Sequence, residues 1–83
     1  MTFWVYAIQS EFSGRIYMGQ TCSLQRRIEE HNAGRVVSTQ DQRPWKILAV
    51  EKFKSRNDAR WRENCLKKSR GQREKWIDDM RLK

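Results

Sequence analysis

The chain has 83 residues, 37% hydrophobic and 34% charged, and its 18 Lys and Arg against 10 Asp and Glu leave a net charge of +8. Four Trp, two Tyr and three Phe supply enough core-forming material to exclude disorder throughout, and the length leaves room for one modest core, a single domain over residues 1–83. No apolar run approaches the roughly 20 residues that span a bilayer, whereas the positive charge suits an anionic polymer, DNA or RNA.

In chain order, the opening MTFWVYAIQS has neither a basic n-region nor a small-residue cleavage site, so no secretory signal is expected and the chain reads as cytoplasmic. Phe3 to Ile8 is aromatic and β-branched on both alternating faces, as in a strand covered on both sides. Ser10 to Gly14 carries turn residues and Arg15 to Gly19 reads as a second strand, which together make an antiparallel hairpin. A turn near Glu11 and Phe12 brings Tyr6 and Tyr17 close across the pair, and Gly19, on the face of Tyr17, leaves backbone space beside the Tyr17 hydroxyl. Cys22 and Cys65 lack C-x-x-C spacing; with a single His they are expected to be reduced and not to build a zinc site.

Ser23 is the expected N-cap of a helix running to Asn32 and ended by Gly34. The polar stretch 35–44 reads as a loop, and Trp45 to Val50, extending to Phe53, as the third strand. Ser55 with Asp58 resembles a capping box for a helix over Arg56 to Lys68; Gly71 is expected to break it, and Trp76, Ile77 and Met80 stripe a last short helix. The order β-β-α-β-α-α makes an α+β domain with a three-stranded sheet packed by helices.

Two helix stripes break the apolar pattern. Leu24, Arg27, Ile28 and His31 lie at i, i+3, i+4 and i+7, so a guanidinium and the only imidazole occupy inward positions. Ala59, Arg62, Glu63 and Leu66 repeat the spacing with a carboxylate. Glu63 reads either as the internal partner of Arg27 or as a hard oxygen ligand for Mg²⁺, which commonly takes one or two carboxylates plus phosphate oxygens. Tyr6, beside Trp4 and Ile8, reads by itself as a core tyrosine. A phenol is a poor base at neutral pH unless nearby cations stabilise its phenolate. Tyr6, Tyr17, Arg27, His31 and Glu63 together hold the parts for phosphodiester hydrolysis: a base, a phosphate clamp and a metal anchor.

Trp4-Val5-Tyr6 and Tyr17-Met18-Gly19, at this separation, resemble the two name-giving motifs of the GIY-YIG nuclease superfamily. The likeness continues through Gly19-Gln20-Thr21, Leu24 to Ile28, Glu30-His31-Asn32, Arg43 to Lys46 and Arg62 to Lys67, over essentially the whole chain. It implies a metal-dependent endonuclease, of the small stand-alone type, with a three-stranded antiparallel sheet flanked by helices. By matching position, Tyr6 and Tyr17 are the catalytic tyrosines and Arg27 holds the scissile phosphate. His31 assists by hydrogen bonding or proton transfer, and Glu63 ligates one Mg²⁺ or Mn²⁺. Tyr6 is the expected proton acceptor from the attacking water. Trp4 departs from the small first residue of the first motif, and Gln20 stands where many members carry Lys.

Candidates for contact with nucleic acid are Gln20, Arg26, Arg35, Ser38, Thr39, Arg43, Lys46, Lys67 and Arg70, with the 35–43 loop expected to border the cleft. A chain this short has little means of reading a long site. Cleavage is therefore expected to be structure-selective or weakly sequence-specific, in repair, recombination or mobile-element processing, with specificity otherwise supplied by a protein partner. The rival readings are a basic nucleic-acid-binding module without turnover and a structural protein in which Arg27 and Glu63 form an internal ion pair.

Overall fold

A computed structural model describes residues 1–81. Strands β1 (Phe3–Ser10), β2 (Ile16–Thr21) and β3 (Trp45–Phe53) form an antiparallel sheet in the order β2-β1-β3. Helices α1 (Leu24–Asn32), α2 (Arg56–Lys68) and α3 (Arg70–Met80) complete the expected β-β-α-β-α-α order. The 35–44 segment is not wholly irregular, since Gln40–Gln42 forms a 3-10 turn.

The central position of β1 explains why its residues are apolar on both faces: Val5, Tyr6, Ala7 and Ile8 are all buried. Tyr6 and Ile8 join Trp45, Tyr17, Ile47 and Val50 under Leu24 and Ile28 of α1. Val5 and Ala7 join Met18, Ala49, Leu48 and Phe53 under Ala59 and Leu66 of α2 and Trp76, Ile77 and Met80 of α3. A bulge makes this division possible on β3. Ala7 pairs with Ala49 and Ile8 with Ile47, so Leu48 is the extra residue, and Ile47 and Val50 serve one core while Leu48 and Ala49 serve the other.

Helix α1 stops where the sequence says it should. Gly34, at φ +79°, donates its N–H to the His31 carbonyl (3.3 Å), and the Arg35 N–H reaches the Glu30 carbonyl (3.0 Å), a Schellman closure. Asn32 then ties the helix end to β3: its Oδ1 accepts from the Trp45 N–H (2.6 Å) and its Nδ2 donates to the Trp45 carbonyl (3.1 Å). The break between α2 and α3 falls at Ser69, not at Gly71. Ser69 is extended (φ −131°, ψ 112°) and its hydroxyl accepts from the Gln72 N–H (3.3 Å), so it ends one helix and caps the next. Gly71, with open space around it, is simply a residue of the first turn of α3.

Candidate active site

The hairpin register places Ile8 opposite Tyr17 and Gly19 opposite Tyr6, which sets the two tyrosines diagonally on one face. The space above Gly19 therefore serves Tyr6, not Tyr17: a Cβ at residue 19 would meet the Tyr6 hydroxyl oxygen at 2.5 Å. That hydroxyl is hydrogen-bonded to His31 Nε2 at 2.9 Å. The Tyr17 ring stands edge-on to the same imidazole, with centroids 5.1 Å apart, and Trp45 closes the other side. His31 is the inward end of the α1 stripe, and it is fully buried.

Burial sets the electrostatics of this pair. It pushes the Tyr6 phenol up from 10.0 to about 12, with the Arg27 guanidinium beside the hydroxyl pulling the other way and Tyr17 and Glu63 adding to the rise. It pushes His31 down from 6.5 to about 4, helped by the positive charge of Arg27 and opposed by Glu30. Near neutral pH the site thus holds a protonated phenol against an uncharged imidazole. The Tyr6 hydroxyl in turn holds Arg27 more firmly protonated.

Arg27 is half-exposed, and Nη1 donates to Glu30 Oε1 at 3.1 Å. Its partner is not Glu63, which instead lies 2.7 Å from Lys67 Nζ. This removes the Arg27–Glu63 internal ion pair. Successive turns of one helix offer each charge a nearer partner, so neither has to be paid for across the core. Arg27 opens on a cleft of about 280 Å³ whose lining includes Gln20, Ser23, Arg26, Glu30 and Arg56. Arg56, the first residue of α2, was not among the expected phosphate contacts. Its guanidinium is stacked over the Phe3 ring at 5.3 Å, which holds it at the cleft without using its N–H donors.

The remaining expected contacts divide. Gln20 and Arg26 line the cleft beside Arg27. Arg35, Ser38 and Arg43 are exposed on the segment between α1 and β3, with Arg43 Nε donating to the Gln40 carbonyl at 2.8 Å. Lys46 is exposed on β3, which flanks β1 opposite β2 and so lies across the sheet from the β2 residues of the cleft. Lys67 is engaged with Glu63, and Arg70 with Glu74 at 3.2 Å. Thr39 is a correction. It is fully buried, with Oγ1 2.8 Å from His31 Nδ1, and cannot touch a bound strand. An imidazole with two ring nitrogens to satisfy drew it inward from a tract whose composition reads as solvated.

Among the described residues no three His, Cys, Asp or Glu side chains gather as a metal cage. The donor set fits a hard divalent cation that keeps most of its waters: one half-buried carboxylate, Glu63, whose charge is felt at Tyr6. It does not fit zinc, because His31 has both nitrogens engaged.

Residues 2–75 match the family model of the GIY-YIG catalytic domain. A UPF0213 protein of Listeria innocua is 38% identical over 65 residues, which cover 76% of this chain and 72% of that protein. A UPF0213 protein of Halobacterium salinarum is 39% identical over 72 residues, covering 84% and 92%. Among solved structures, the solution NMR structure of a UPF0213 protein from Bacillus halodurans superposes with a TM-score of 0.60 at 29% identity, over 94% of this chain and 84% of that one.

Proposed function

The chain belongs to the GIY-YIG family of nuclease-type catalytic domains, and on that premise we propose that it is a metal-dependent endonuclease that hydrolyses DNA phosphodiester bonds. It acts in the cytoplasm, with structure-selective or weak sequence preference, in repair, recombination or mobile-element processing. The observation that carries this reading is the convergence of Tyr6, Tyr17 and the Arg27 guanidinium around one buried imidazole.

Arg27 grips the scissile phosphate. A phosphate competes with Glu30 for its N–H groups, and Arg26 and Arg56 line the same cleft to take the flanking backbone. Tyr6 is the general base. Because its proton is held tightly at neutral pH, it accepts a proton from water only while passing its own to His31 Nε2 at 2.9 Å. Tyr17 packs against the imidazole and keeps its ring in place. Glu63 holds Mg²⁺ or Mn²⁺, which when bound supplies positive charge against the negative charge that builds on the phosphate.

The direct test is incubation with supercoiled plasmid and with labelled single-stranded and branched DNAs and RNA, in Mg²⁺, Mn²⁺ or EDTA. Cleavage in either metal and none in EDTA is the expected result. Binding without cleavage of any of these substrates would overturn the reading in favour of a non-catalytic basic module.

A further inference from the structure

Thr39 is held at several points that have nothing to do with solvent. Its N–H donates to the Val36 carbonyl (3.1 Å), and its own carbonyl accepts from the Gln42 N–H (3.1 Å) and from Trp45 Nε1 (2.9 Å). Trp45 is in turn clamped by Asn32, the last residue of α1, so His31 and Thr39 are fixed to one frame. Within that frame the Thr39 hydroxyl oxygen lies 2.8 Å from His31 Nδ1 and 3.3 Å from the Val36 carbonyl oxygen.

A hydroxyl has one hydrogen to give. The Val36 carbonyl can only accept, and the arrangement that gives it the Thr39 hydrogen leaves the Thr39 oxygen to accept from His31. Nδ1 then carries the imidazole proton, and in a neutral ring Nε2 is left bare. The Tyr6 hydroxyl, 2.9 Å away, is the donor that fits it. Every hydrogen bond along the line Tyr6, His31, Thr39, Val36 then runs in one direction, from the phenol into the backbone. The opposite tautomer would put the Nε2 hydrogen on the phenol oxygen and leave the Tyr6 proton without this acceptor.

We propose that Thr39 is a positioning residue that holds His31 in the Nδ1–H tautomer, so that Nε2 takes the Tyr6 proton in the hydrolytic step. This rests on the nuclease reading. The attacking water gives a proton to Tyr6 Oη as the Tyr6 proton passes to His31 Nε2. The water oxygen bonds to phosphorus, the bond from phosphorus to the leaving oxygen breaks, and that oxygen takes a proton from solvent. His31 returns its extra proton through Tyr6 to solvent, so that one water is consumed and no other reactant is needed. Thr39 meets neither substrate nor metal, and acts only through the imidazole.

His31 is the only histidine, so its ring nitrogens can be read in the full-length chain by long-range ¹H–¹⁵N correlation, without DNA or metal. The expected spectrum at neutral pH shows a protonated Nδ1 and a bare Nε2. Thr39→Val removes the hydroxyl while keeping the side-chain shape. It is expected to shift the tautomer towards Nε2–H and to lower kcat by on the order of 10- to 100-fold, with KM unchanged. Thr39→Ser restores both the spectrum and the rate. A wild-type spectrum with the proton on Nε2 overturns the assignment whatever the activity, and needs no variant to fold. A folded Thr39→Val chain that cleaves at the wild-type rate overturns the positioning role. Failure of the wild-type chain to cleave in any metal, with the Nδ1–H spectrum intact, overturns the nuclease reading instead.

Discussion

Gly19 lies directly beneath the Tyr6 phenol: a Cβ there would stand 2.5 Å from Oη and 2.7 Å from Cζ. The ring cannot swing aside, because Tyr6 is only 1% exposed and belongs to a core cluster with Ile8 and Trp45. Gly19→Ala is therefore expected to displace the hydroxyl from His31 and to destabilise the fold by about 1–3 kcal/mol, the usual range for overpacking. Urea unfolding gives the second quantity and the His31 ring spectrum the first. An unchanged midpoint together with an unchanged spectrum would mean that the ring can yield.

Glu63→Gln keeps the shape of the side chain and removes its charge. Metal-dependent cleavage is expected to fall by about 100-fold or more, since a divalent ion contributes several kcal/mol to charge stabilisation. The fold should lose no more than about 0.5 kcal/mol, because the Lys67 contact is an i,i+4 pair with a half-exposed lysine. DNA affinity measured in EDTA should stay within about twofold, as no phosphate contact is removed. Cleavage at the wild-type rate would remove Glu63 from the metal site.

The imidazole links stability to pH. His31 falls from 6.5 in the unfolded chain to about 4 in the fold, through burial first and Arg27 second, with Glu30 opposing and with Tyr6, Tyr17 and Thr39 around the ring. The folded state therefore binds fewer protons than the unfolded state between these values. The stabilisation is whole above pH 6.5 and is lost as pH falls towards 4, amounting to about 3 kcal/mol over the full range. Denaturant midpoints should drop across that window in the wild type and much less in His31→Gln. An imidazole that titrates near its ordinary value in the folded chain would contradict this.

Arg56→Gln and Lys46→Gln each remove one positive charge, but only Arg56 lines the cleft. On duplex DNA, Arg56→Gln is expected to lower the slope of log affinity against log salt by about 0.9, the contribution of one phosphate contact. Lys46→Gln, across the sheet, should leave that slope unchanged. Titrations at several salt concentrations distinguish the two, and equal slopes for both variants would refute the assignment of the cleft as the backbone path.

What could be read from the sequence were the conflicts between residue type and position. Arg27 and His31 on an apolar stripe, and Glu63 between Ala59 and Leu66, announced themselves because helical spacing is local. Partners were not legible, because they depend on distances across elements. Arg27 took Glu30 and Glu63 took Lys67 from their own helices. Thr39 looked solvated because its neighbours Ser38 and Gln40 are, and only the unmet needs of a buried imidazole mark it out. Arg56 looked like an ordinary first residue of a helix until the end of β2 and the start of α1 closed in beside it. Ser69 and Gly71 are both plausible stops, and hydroxyl capping decided between them.

The sheet has one more consequence. Tyr6, Tyr17 and His31 sit with α1, whereas Glu63 arrives on α2, whose Ala59 and Leu66 are packed into the other core. The proposed reaction centre straddles a seam and is whole only while both layers are closed. Gentle warming that loosens α2 should extinguish turnover while the near-ultraviolet aromatic signal of the α1 side still looks native, so that enzymatic output serves as an early gauge of the seam.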